Sequence, residues 1–150
     1  MIRTLRLTSL LFAVFFVGAV FAQSTLGIEV FKNQYCGCCH LWITHLQKNG
    51  FKVTEQNVDS NATIRENMGM PEKLGSCHTA IINGYVIEGH VPLADIQRLL
   101  TEKPLIKGIA VPGMPTGSPG MEMGERRDAY DVVAFAADGT RTIFATYTAV

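Results

Sequence analysis

Thr79-Ala80-Ile81-Ile82-Asn83-Gly84-Tyr85-Val86-Ile87-Glu88-Gly89 consists of two apolar, β-prone runs separated by Asn83-Gly84. A two-residue turn with positive φ at both positions twists in the same sense as the strands it joins, and Asn-Gly tolerates that backbone best. The stretch therefore reads as a hairpin. Upstream, Gly69 to Cys77 holds Pro71 and Gly75 and is a loop, preceded by a short helix capped at Asp59 or Ser60 and running through Met68. Phe51 to Val58 sets Phe51, Val53 and Val58 between polar partners, as a strand does. Cys38 to Asn49 repeats Cys39, Trp42 or Ile43, and Leu46 on one helical face and stops at Asn49-Gly50. Gly27 to Lys32, with Ile28, Val30 and Phe31, is a further strand. Downstream, Pro92 suits the first turn of a helix reaching about Leu100. The order is β-α-β-α-β-β-α, an α/β fold.

That order is thioredoxin-like, and the hairpin resembles the one in glutaredoxins. One departure matters: where those families place a cis-proline just before the strand, this chain has Ser76-Cys77-His78. In such a layout the loop before the hairpin faces the end of the first strand. Cys77 would then come beside Cys36-Gly37-Cys38-Cys39, although 38 residues separate it from Cys39. The second hairpin strand would return Gly89-His90 to the same end, so four sulfurs and one or two imidazoles are expected to converge.

Beyond Leu100 the composition changes. Gly108 to Gly124 holds five glycines, three prolines and three methionines in 17 residues. Proline removes backbone donors and glycine leaves the chain unconstrained, so this stretch reads as a loop and not as a helix or inner strand. Val132 to Phe135 and Thr140 to Tyr147, joined through Ala137-Asp138-Gly139, make a terminal hairpin. A loop this long in a compact domain is usually functional or disordered, and its content of Met114, Met121 and Met123 favours function.

The whole chain has 150 residues, with 13 basic and 13 acidic side chains. That length suits one domain, and the charge balance argues against a nucleic-acid binder or a polybasic membrane-surface protein. Residues 1–22 carry Arg3 and Arg6, then an uncharged stretch from Leu7 to Ala22 ending Val20-Phe21-Ala22. This reads as a signal peptide cleaved before Gln23. The alternative, an uncleaved anchor, is short against the about 20 residues a span needs. Cleavage would leave 11 basic and 13 acidic groups, a formal charge of −2. The expected organisation is a signal peptide over 1–22, a thioredoxin-like domain over 23–103, and an extension loop with its β-hairpin over 104–150. A monomer working in the periplasm, with no membrane attachment after cleavage, is expected.

Outside the cytoplasm, Cys36, Cys38, Cys39 and Cys77 could form two structural disulfides. Three cysteines within four residues make a poor staple, because a bridge inside so short a loop restricts little chain entropy. They make a dense patch of soft donors, which select Cu(I) over hard cations. A single Zn²⁺ usually takes paired knuckles, and only one is present. Adjacent Cys38 and Cys39 at a helix start point in different directions, which suits a thiolate-bridged cluster of several Cu(I) ions. Cys36 to Cys39 is also a C-x-x-C, so thiol-disulfide exchange stays open as a second chemistry.

Four segments, Cys36-Gly37-Cys38-Cys39, Gly75-Ser76-Cys77-His78-Thr79-Ala80, Glu88-Gly89-His90-Val91-Pro92 and Val111-Pro112-Gly113-Met114-Pro115-Thr116-Gly117-Ser118-Pro119-Gly120-Met121-Glu122, together resemble the CopG-type copper-resistance proteins. The resemblance implies a periplasmic thioredoxin-like domain whose C-terminal extension helps bind copper, with a redox role. It implies Cys36, Cys38, Cys39 and Cys77 as thiolate ligands and places Met114 and Met121 in the extension motif, with Met123 just outside. His78 and His90 are the better placed of the histidines, while His40 and His45 read as solvated or packed and Trp42 as core. The expected function is a copper-binding protein of copper resistance that holds Cu(I) and interconverts Cu(I) and Cu(II). A copper efflux or redox partner protein would complete it. A copper carrier without turnover and a thiol-disulfide oxidoreductase are the alternatives.

Overall fold

The computed structural model describes residues 26–150. The expected signal peptide and its cleavage before Gln23 lie outside the described residues. Ten elements and one 3-10 turn follow in order: β1 Gly27–Lys32, α1 Gly37–Lys48, β2 Lys52–Asn57, α2 Ala62–Asn67, a turn at Glu72–Leu74, β3 His78–Ile82, β4 Tyr85–Glu88, α3 Leu93–Glu102, β5 Gly108–Ala110, β6 Tyr130–Phe135 and β7 Arg141–Tyr147. The strands form one seven-stranded sheet in the order β2-β1-β3-β4-β5-β6-β7. β2 lies parallel to β1 and β5 parallel to β4, while the other neighbours are antiparallel.

The β3–β4 hairpin turns at Asn83 and Gly84, with φ of 49° and 82°. These are the positive values that the Asn-Gly pair is suited to supply. α1 buries Cys39, Trp42, Ile43 and Leu46. That face packs with Ile28 and Val30 of β1 and with Ile96 and Leu99 of α3 in the main core. Neighbouring residues on the central strands alternate between faces. Ile87 and Ile109 enter the main core, whereas Val86 and Ala110 join Met70, Leu74 and Phe135 in a second cluster.

The stretch beginning at Gly108 does not start as a loop, because Gly108–Ala110 is an inner strand between β4 and β6. Ile109, Ala110 and Val111 are apolar and fully buried, and the first proline comes only at Pro112. Gly108 is required by close approach: a Cβ there would sit 2.1 Å from the Val86 carbonyl oxygen. The glycine that looked like a strand breaker lets β5 lie against β4. From Pro112 onward the chain is irregular as expected, and β6 and β7 then extend the same sheet.

Candidate metal centre

β1 ends at Lys32, and the turn after it is closed by the Cys36 amide on the Asn33 carbonyl at 3.1 Å. Cys36 then occupies the N-cap position of α1, and its side chain makes no capping hydrogen bond. Cys38 and Cys39 lie in the first turn. Cys39 is fully buried and Cys38 is part-exposed, so the adjacent side chains do diverge. Cys77 arrives from the loop before β3, which antiparallel pairing of β1 with β3 brings to the end of β1, His78 lying opposite Lys32. The sulfurs of Cys36, Cys38, Cys39 and Cys77 all fall within 4.8 Å of one another. Cys36 and Cys39 are joined as a disulfide, while Cys38 and Cys77 are free. The Cys38 sulfur lies 3.5 Å from that of Cys36.

Cys77 also belongs to a second group, with His78 and His90. Its sulfur is 2.9 Å from His90 Nε2 and 3.3 Å from His78 Nδ1. His90 Nδ1 is 2.8 Å from the Pro119 carbonyl oxygen, which can only accept, so Nδ1 carries the proton. In the neutral ring Nε2 then keeps its lone pair toward Cys77, the arrangement by which an outer partner readies an imidazole for a metal or a proton. Burial disfavours the charged form of both rings. Burial, with His90 adding to it, pushes His78 down to about 3, and burial lowers His90 as well. Burial and the neighbouring Cys38 push the Cys77 thiol up to about 12. His78 packs against Trp42 with centroids 4.4 Å apart and the rings tilted by 43°, and its Nε2 is buried without a hydrogen-bond partner among the described residues.

The segment after β5 lies over this cluster. Pro119 holds His90, and Gly113 accepts a hydrogen bond from the Ser76 hydroxyl. Gly120 has φ +86°, and a Cβ on it would fall 2.8 Å from the Cys38 carbonyl oxygen and 2.9 Å from the Trp42 nitrogen. The backbone at Gly120 is therefore seated directly on the first turn of α1.

A chain with this cluster is similar to known proteins. Its residues 74–121 match the family model described as "Protein of unknown function, DUF411". Over 83% of this chain and 98% of the other, it is 48% identical to a solved structure described as "Copper resistance protein copG- Form 1", with a TM-score of 0.79. A second form of that protein gives 48% identity over 82% of this chain and 98% of the other, with a TM-score of 0.78. The chain belongs to the CopG-type copper-resistance family. No curated protein matches it.

In this CopG-type chain the four expected cysteines meet. The two expected methionines are positioned differently from them. Met114 is 54% exposed and lines a cleft of about 510 Å³ with Pro112, Pro115, Tyr130, Asp131 and Val133. Met121 is half-buried directly after Gly120. The contacts tying their segment to the thiol loops are made by Gly113, Pro119 and Gly120. His40 is exposed and His45 half-buried on α1. Two residues that sequence reasoning passed over are Glu88 and Arg65, whose side chains grip the Cys77 loop. The available signal was an acid closing the apolar run of β4.

The donors present, four cysteine sulfurs with the imidazoles of His78 and His90 beside Cys77, fit a soft monovalent ion. Replacing Gly120 by Ala should displace the loop from α1, since the left-handed backbone and the crowding by backbone atoms oppose the same methyl group. A loss of about 2 kcal/mol or more in urea unfolding is expected, together with faster thiol labelling of Cys38.

Proposed function

We propose that this protein is an extracytoplasmic copper-binding protein that holds Cu(I) on Cys36, Cys38, Cys39 and Cys77 and takes part in copper resistance. The observation carrying this reading is the gathering of four cysteine sulfurs within 4.8 Å, from two separate segments. The copper-resistance description of its relative at 48% identity supports it. Elements β1 to α3 are read as a thioredoxin-like unit over 23–103, and residues 104–150 as the metal-site extension. No described helix is long and apolar enough to cross a membrane. We place the mature protein in the periplasm as a monomer.

Copper would supply a one-electron change between Cu(I) and Cu(II), and short cysteine spacing suits a thiolate-bridged cluster. The protein's own residues handle protons and access. Each thiol that becomes a ligand releases a proton. Burial makes Cys77 hold its proton more tightly than a free thiol does, and His90 Nε2 lies 2.9 Å from its sulfur. His90 is kept in the accepting tautomer by Pro119. Cys36 and Cys39 must first be reduced from their disulfide, so the oxidised chain should take up fewer Cu(I) ions than the reduced one. Protection of the cysteines against a thiol reagent after copper loading tests the reading: all four should be protected, and four freely reacting thiols in the loaded protein would contradict it.

Met114 and Met121 are proposed to favour the reduced ion, because thioethers bind Cu(I) far better than Cu(II). The double variant Met114→Leu, Met121→Leu keeps apolar volume and removes both sulfurs. Its copper reduction potential should fall and its Cu(I) affinity weaken with the fold intact by circular dichroism. Unchanged values would leave the methionines as lid residues.

The Cys36–Cys39 disulfide favours a second reading, a thiol-disulfide oxidoreductase. Reduction of a disulfide-bonded protein substrate, abolished by Cys36→Ser, would support it.

A further inference from the structure

Glu88 closes β4 with its side chain completely buried. Its Oε1 accepts from Arg65 Nε at 3.1 Å, from Arg65 Nη2 at 2.6 Å and from the Ser76 amide at 2.7 Å. Its Oε2 accepts from the Thr79 hydroxyl at 2.7 Å. Arg65 Nη2 also donates to the Ser76 carbonyl at 2.6 Å. Ser76 is thus gripped at both its amide and its carbonyl.

Ser76 is also a junction. Its hydroxyl donates to the Gly113 carbonyl, and its side chain fills the space over Gly89, where a Cβ would fall 2.5 Å from the Ser76 Oγ. The residues following Ser76, Gly89 and Gly113 are Cys77, His90 and Met114. One serine thereby joins the three segments that carry these groups.

A buried ion pair is weak evidence for stability, because apolar residues of similar volume often serve as well or better. The arrangement has a more specific consequence, which follows from the guanidinium fork. The planar guanidinium of Arg65 makes two bonds to one carboxylate oxygen and one to a carbonyl, a fixed set of donors that an ammonium group does not offer. We propose that Arg65 and Glu88 are positioning residues for the copper site, setting through Ser76 where the Cys77 thiol stands relative to Cys36, Cys38 and Cys39. This deepens the copper reading and rests on it.

The test uses the reduced, metal-free mature chain, with labelling of each cysteine by a maleimide followed by peptide mass spectrometry. Arg65→Lys keeps the charge and loses the fork. It should speed labelling of Cys77 about tenfold, the scale expected when a charge-assisted hydrogen bond holding a loop is lost, and leave Cys38 unchanged. Glu88→Gln, read in the same assay, covers the case in which the arginine variant does not fold. An unchanged Cys77 rate in a folded variant would overturn the proposal. An equal rise at all four cysteines would overturn it too, since that is what general loosening gives. The copper reading fails separately, if the wild-type chain takes up no Cu(I), and that result leaves the labelling rates as they are.

Discussion

Cys77→Ser should lower the number of Cu(I) ions bound per chain, although Cys77 lies 38 residues from Cys39. The substitution keeps the size of the side chain and exchanges a soft donor for a hard one. Because the Cys77 sulfur belongs both to the four-sulfur group and to the group with His78 and His90, its loss removes the atom common to both. Copper content after equilibration with excess Cu(I) under anaerobic conditions reads this directly. Binding equal to wild type would mean that the loop before β3 does not contribute a ligand.

Trp42→Ala should destabilise the fold by about 3–5 kcal/mol, the range for deleting a large buried ring. Trp42 is fully buried in the main core. Its Nε1 donates to the Val91 carbonyl at 2.9 Å, and its ring packs against His78. It is therefore both core and a support for the His78 ring. Trp42→Phe should cost less, yet it leaves the Val91 carbonyl without that donor. The shift in urea midpoint, followed by circular dichroism, separates the two variants. A loss under about 1 kcal/mol for Trp42→Ala would contradict this packing.

Much of the fold is legible in short-range signals. Asn83-Gly84 specifies its turn by backbone angle alone, and the apolar face of α1 is written at helical spacing. The meeting of Cys77 with the other cysteines is legible one step further out, because it follows from strand order. β5 is not legible, since its glycine is needed only because Val86 approaches from another strand. Arg65 reads locally as an ordinary charge on a short helix, and only the register that sets Glu88 opposite Thr79 shows that it enters a buried network. His90 is placed correctly by topology. Its tautomer is set by Pro119, which comes from the irregular segment that periodicity cannot describe.

If Cys36, Cys38, Cys39 and Cys77 act as one soft-donor site, anaerobic Cu(I) titration of the fully reduced mature chain, followed by challenge with excess Zn²⁺, should give more than one Cu(I) per chain, retained against zinc. Saturation at a single ion or fewer, or release of the copper to zinc, would contradict that reading.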